Sequence, residues 1–346
     1  MVLLLLPAGP DARAALTEPV PDLSRLRGIW IGPEEIARLP TQGQAWDALK
    51  SVADKTPAPP NLADQNETTN VVMLAKALVF ARTGQESYRQ EVIQACLAAI
   101  GTQKGGRSLA LARNLAAYVI AADLVTLPPE ADVTFQAFLS TVLDEVLEER
   151  TLRSTQEKRP NNWGTHAAAS RIAVALYLRD AQELHQAARV FKGYLGDREA
   201  WNDFKFGALD WQADPRHPVG VNPKGAKGPG GENFDGLLPD DQRRCCKQLT
   251  WPPPYENYVY EALQGALAAA VMLHRVGYDV WNWQDQALLR AFRWKHDVAG
   301  YPPKKDDLWE THVINHSYGT RFPVTTPTRP GKNVGYTDWT HAPAKP

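Results

Sequence analysis

Residues 160–178, PNNWGTHAAASRIAVALYL, open on Pro160 and two adjacent amides, Asn161 and Asn162. An indole (Trp163) and His166 follow, and the run continues as an Ala-rich segment. It reads as a helix over 162–178. Asparagine just before an apolar helix is most often an N-cap. On that reading Asn161 caps, Trp163 packs and His166 is incidental. A functional reading stands beside it. Asn162 and His166 are four residues apart and share a helix face. Amide donors and an imidazole facing one cavity suit a carboxylate or a sugar.

The helical pattern extends to both sides. Gly32-Pro33-Glu34-Glu35 is a helix start, with Pro in the first turn and acids at the positive end of the dipole. Over 68–82, Val72, Ala75, Leu78, Val79 and Ala81 recur near a period of 3.6. Similar runs predict helices at 87–100, 107–124, 133–152, 181–195, 257–276 and 283–296. Alternating strand patterns are nearly absent. About ten to twelve helices paired as antiparallel hairpins, set around a ring, would make an all-α fold: an α/α toroid with a cleft at one end. A helical solenoid is the competing arrangement.

Residues 207–256 break the pattern with Asp214-Pro215-Arg216-His217-Pro218, Gly228-Pro229-Gly230-Gly231 and Pro252-Pro253-Pro254. So long an aperiodic stretch within a compact protein is usually functional or disordered. Its Trp211, Phe234, Leu237, Leu238 and Trp251 argue against a bare linker. The last 50 residues are loop-rich, but Trp309, His312, His316, Tyr318 and Trp339 should pack them back on the body.

Composition bounds the function. The 346 residues carry a net charge of −1, which leaves no basic field for nucleic acid. Eleven Trp and eleven Tyr lean toward sugar stacking, although Trp also fills cores. Residues 1–20 resemble a leader: Met1-Val2-Leu3-Leu4-Leu5-Leu6 is apolar and Ala12-Arg13-Ala14 fits a small-x-small cleavage site, without a positive n-region. The expectation is a periplasmic or secreted protein, with 21–346 as one domain. No later run approaches the ~20 apolar residues of a membrane span. The cysteines, Cys96 and adjacent Cys245-Cys246, form no metal-binding spacing.

Two further constellations carry chemistry. In 255–264, Tyr260 falls on the apolar stripe of Leu263, Leu267 and Val271, while Tyr258 lies nearly opposite and is free to face a cavity. In 235–244, Asp235-Gly236 and Pro239-Asp240-Asp241 mark turns, and Arg243 and Arg244 follow. Arginines there commonly pair with Asp240 and Asp241, yet arginine is also the best bidentate partner for a substrate carboxylate. His312 and His316 have a helical metal-ligand spacing, but no HExxH pattern or acidic third ligand accompanies them. His217 lies in the irregular segment, where loop residues often carry function. There is no GxSxG elbow, phosphate loop or dinucleotide fingerprint. Glu232, Asp235, Asp240 and Glu256 could serve glycoside hydrolysis, but none has a distinctive context.

In this order, Asn161-Asn162-Trp163, Asp235-Gly236 through Arg243, the Tyr258 helix and Gly277-Tyr278-Asp279-Val280-Trp281 resemble the alginate-lyase-like polysaccharide lyases. The match runs over residues 160–295, and the helical first half also fits. Polysaccharide lyase family 38, with its alginate and glucuronan lyases, is the most similar subgroup. The resemblance implies an incomplete α/α toroid that cleaves acidic polysaccharide by β-elimination, with no cofactor and no metal. Asn162, with Asn161 or an arginine, would neutralise the uronate carboxylate, and Arg243 is favoured over Arg244. Tyr258 would be the acid, and in some members the base as well; a tyrosine, ordinarily of pKa ≈ 10, needs a nearby cation for the second role. Trp163 stands where better-known members carry histidine. The base is then Tyr258 itself or another histidine: His217 first, His166 second, His312 and His316 last. Asn161, Trp163, Arg244, Tyr260, Trp211, His312 and His316 complete the substrate-contacting set. The chain is expected as a monomer or weak homo-oligomer, with no nucleic acid or membrane partner. A toroidal glycoside hydrolase and a non-catalytic carbohydrate-binding protein remain the alternatives.

Overall fold

A computed structural model describes residues 19–246 and 248–342, the side chain of Cys245 excepted. Most of the leader-like segment, residues 1–18, lies outside the described residues. The helices in chain order are α1 (Pro33–Arg38), α2 (Gln44–Ala53), α3 (Thr69–Thr83), α4 (Glu86–Ala99), α5 (Ser108–Val125), α6 (Pro129–Val142) and α7 (Leu152–Lys158). They continue as α8 (Asn162–Tyr177), α9 (Ala181–Tyr194), α10 (Pro239–Gln242), α11 (Val259–Arg275), α12 (Trp283–Arg293), α13 (Leu308–Tyr318) and α14 (Thr337–Thr340). Among the described residues the only β pairings are two isolated bridges.

The fold is an incomplete α/α toroid, and burial separates its layers. In α5 only Asp123 and Leu124 escape burial; in α8, only Trp163 and Tyr177; in α11, only Glu261, His274 and Arg275. A helix that is apolar all round must be enclosed by protein. α3, α5, α8, α11 and α13 pack in that order as an inner ring. α5 is the one helix among the described residues long and apolar enough to cross a membrane, and 89% of it is buried within the fold. α9 instead buries one stripe, Leu184, Ala187, Ala188 and Phe191, against the inner ring. The last gap is bridged by short α14, which packs on α13 and α2. There Trp339 lies 5.4 Å from the Trp46 ring, and its indole N–H donates to the Pro40 carbonyl.

One expectation changes, and two gain detail. The helix expected over 133–152 begins at Pro129 and ends at Val142. Glu148 and Glu149 then take positive φ, and the Thr151 hydroxyl accepts the Ser154 N–H to start α7. The aperiodic 207–256 stretch makes its own core. Trp211, Phe234, Leu237 and Trp294 are all buried there, and Trp294 donates to the Asn233 carbonyl. The loop-rich C-terminus supplies an inner helix, α13, and buries Trp309 and Trp339.

The tightest inner contact is α8 on α11. A Cβ at Gly265 would lie 2.4 Å from the backbone of Thr165 and His166, so only glycine permits this approach. Gly265→Val should cost about 1–3 kcal/mol by overpacking. Thermal unfolding followed by circular dichroism should show the midpoint several degrees lower; an unchanged midpoint would refute the close crossing.

Candidate active site

The N-terminal turn of α8 is fixed by a segment some eighty residues later. Asn161 caps the helix, its side-chain oxygen accepting the Trp163 N–H at 3.1 Å. Its amide donates to Asp240 Oδ2 at 2.6 Å. The backbone N–H of Asn162 donates to Asp241 Oδ1 at 3.0 Å. Asp240 Oδ1 also accepts from the Gly207 N–H and from Arg243 Nε. The Pro239 turn places both carboxylates against α8 and carries the arginines with them. Burial pushes the Asp241 carboxyl well above the usual carboxylate range, against the pull of Arg244 and the Asn162 N–H.

This arrangement separates the two arginines. Arg243 is committed to Asp240 and lies flat on Gly207, where a Cβ would overlap its guanidinium. Arg244 turns the other way. Its Nη1 donates to Asn162 Oδ1 at 3.0 Å, and its guanidinium sits 4.7 Å from the centroid of the Tyr258 ring. Asn162 Nδ2 keeps no hydrogen-bond partner among the described residues. Tyr258 occupies the N-cap position of α11 and is 45% exposed. An amide donor, a guanidinium and a phenol thus converge from three segments. The sequence preference for Arg243 over Arg244 is not the arrangement seen beside Asn162.

The histidines do not join this group. His166 is fully buried, with Nδ1 on Asn333 Oδ1 and Nε2 3.2 Å from Glu261 Oε2. Burial pulls His166 below its ordinary value, opposed by the Glu261 bond. Burial works against the Glu261 charge too, but His166, Arg113 (2.5 Å away) and Lys332 hold this carboxyl down to about 2. His217 is exposed, pairs with Asp214 at 2.8 Å and lines a separate pocket with Arg198, Lys224 and Arg290. His312 is buried and meets the Thr325 carbonyl. His316 lies at the C-terminal end of α13, in a pocket with His274, Arg275 and His341. That pocket adjoins the far end of α11, about 25 Å from Tyr258 at 1.5 Å per residue. Among the described residues no three His, Cys, Asp or Glu side chains are grouped to hold a metal.

Three aromatic side chains divide. Trp211 has no exposed surface and stacks on Phe234. Tyr260 is buried and donates to the Tyr301 carbonyl, as its place on the apolar stripe requires. Both are packing residues with no face left for a sugar. Trp163 alone keeps partial exposure, one residue from Asn162. Sequence reasoning missed Arg113, Glu261 and Asn333, which surround His166. Glu261 is three residues after Tyr258 and was within reach of inspection; Asn333 comes from a C-terminal loop that carries no local signal.

An α/α toroid with a carboxylate-sized donor set at the N-terminal end of its inner helices is the class that fold and site define. Comparisons with known proteins bear on the fold and on part of the sequence. A family model described as alginate lyase matches residues 65–202. The crystal structure of an alginate lyase from Bacteroides ovatus shares the fold with a TM-score of 0.54 at 14% identity, covering 85% of this chain and 92% of that one. No curated protein matches the sequence.

A titration test follows from Asp307, the N-cap residue of α13, whose Oδ1 accepts from Gln264 at 2.7 Å. Burial, with the charges of Asp306, Glu261 and Glu256, raises this carboxyl to about 7 against the Gln264 bond. Unfolded, it would titrate near 3.9. Between these values the folded state holds the extra proton, so the contribution to stability falls as pH rises from about 4 to about 7. Asp307→Asn keeps the acceptor and removes the titration. Its melting temperature should gain on wild type steadily across that window and level off above it; a constant difference would refute the assignment.

Proposed function

We propose that this protein is a polysaccharide lyase that cleaves a uronic-acid polysaccharide, alginate or glucuronan, by metal-independent β-elimination. The carrying observation is Arg244, bonded to Asn162 and seated over Tyr258. The motif order is nearest to polysaccharide lyase family 38, and the leader-like N-terminus is in keeping with a periplasmic or secreted enzyme.

The chemistry needs the C5 carboxylate neutralised, a base for the C5 proton and an acid for the departing O4. Asn162 Nδ2 and the remaining N–H groups of Arg244 would bind the carboxylate and stabilise the charge that develops when C5 loses its proton. The Arg244 cation lies against the Tyr258 ring, beside the group that exchanges the proton. Tyr258 takes the C5 proton, the C5 electron pair forms the C4=C5 double bond, and the C4–O4 bond breaks. O4 leaves with the proton that Tyr258 has just received, and the phenolate is restored. One fragment carries a 4,5-unsaturated uronate at its new non-reducing end, and the other keeps O4 as the anomeric hydroxyl of a new reducing end.

Tyr258 is assigned both steps because no histidine among the described residues contacts Asn162, Arg244 or Tyr258. One group can serve both steps only where H5 and O4 lie on the same face of the ring. That holds for mannuronate and glucuronate, and fails for guluronate, the C5 epimer. Polymannuronate or glucuronan should therefore give rising ultraviolet absorbance from the conjugated product, and polyguluronate should not. Absorbance that fails to rise on every polyuronate, or reducing ends released without it, would overturn the lyase reading. Tyr258→Phe should lower turnover by about 10²–10⁴ while oligosaccharide binding persists; near-native rates would remove Tyr258 from the mechanism.

A further inference from the structure

Arg150 and Arg159 flank the Trp163 ring. Arg150 leaves the 147–150 turn just before α7, and Arg159 follows α7 directly. Their guanidinium carbons lie 5.9 and 5.0 Å from the indole centroid. Neither forms an ion pair among the described residues, and Arg159 Nε is buried without a hydrogen-bond partner. With Arg243 and Arg244, four guanidiniums act on this one region. Of the two carboxylates of the 239–244 segment, Asp240 is spent on Arg243, and Asp241 is buried in a setting that favours its protonated form. Burial, then repulsion from Arg150 and Arg244, pulls Arg159 below its ordinary value, with Asp240 opposing. Cations crowded in this way around an aromatic surface lower their energy when an anion arrives, and a guanidinium held on a ring face is pre-oriented to bind carboxylate.

We propose that Arg150 and Arg159, seated on Trp163, form a second carboxylate subsite that holds a neighbouring uronate of the same chain. The inference rests on the lyase reading for the identity of the anion. Trp163 follows Asn162 directly, so this subsite adjoins the reacting position and continues the cleft along the substrate. Its consequence is a preference for chains that present charge on successive sugars. A chain with one uronate flanked by neutral sugars would fill the reacting position and leave this subsite without its ligand.

The test uses the full chain carrying Tyr258→Phe, so that binding is read without turnover. Mannuronate oligomers of increasing length are titrated calorimetrically against this variant and against the same variant with Arg150→Gln, Arg159→Gln or both. Each substitution should weaken binding of the longer oligomers about tenfold and flatten the salt dependence, while binding of the shortest oligomer changes little. In the otherwise native enzyme the same changes should raise KM more on polymer than on the shortest cleaved oligomer. Unchanged affinity of the double variant for long oligomers would overturn the subsite, as would equal losses at every length. If Arg159→Gln melts markedly earlier than its parent, Arg150→Gln alone decides the outcome. Failure of the lyase reading looks different: native protein would bind mannuronate oligomers through Arg150 and Arg159 and yet yield no unsaturated product.

Discussion

Two adjacent carboxylates bring this site together. Asp240 holds the Asn161 side chain and Arg243, while Asp241 receives the backbone N–H of Asn162. The first-turn N–H groups of any helix lack intrahelical partners. Here Asn161 meets one and a distant carboxylate meets another. That choice draws the 239–244 segment onto α8 and sets where Arg244 can reach. An apolar side chain at position 241 would leave the Asn162 N–H without its acceptor, and one at position 240 would release Asn161 and Arg243. Burial of Asp241 is unfavourable for a charged carboxylate, and the hydrogen bond from Asn162 offsets part of that cost.

Beneath the open end lies a second layer of fixed polar groups. Arg113 on α5, Glu261 on α11, His166 on α8 and Asn333 near the C-terminus connect three inner helices and one loop. Asn333 also donates to the Ala112 carbonyl. Tyr258 stands one turn from Glu261 on the same helix, so a network that fixes Glu261 also fixes the start of α11. His166 thus acts within the scaffold. The close crossing at Gly265 serves the same end, since it sets the separation of the helices that bear Asn162 and Tyr258.

Much of this could be read along the chain. Continuous apolar runs at 3.6 periodicity located the long helices to within a few residues, because an inner helix must be apolar on every face. The helix expected across 133–152 stops at Val142, and the following segment, with Glu148 and Glu149 at positive φ, takes a turn that side-chain hydropathy does not report. α13 was overlooked as a helix, since His312, Asn315 and His316 mask an interior segment behind polar residues. The apolar stripe placed Tyr260 in the packing and so argued against its substrate contact, whereas Tyr258 is exposed because it is the N-cap residue at the start of α11, a helix buried on nearly every face.

The sequence by itself determined that the chain is helical, that Asn161 and Asn162 open a helix, and that Tyr258 faces away from the apolar stripe of its own helix. These are local consequences of propensity, capping and periodicity. Tertiary structure alone decided which arginine lies beside Asn162, that His166 is buried on Glu261, and that Arg150 and Arg159 share Trp163 without an ion pair among the described residues. Each depends on groups from separate helices meeting at one end of the toroid. Pairing energies between such groups follow distance and burial, and neither quantity exists until the ring has formed.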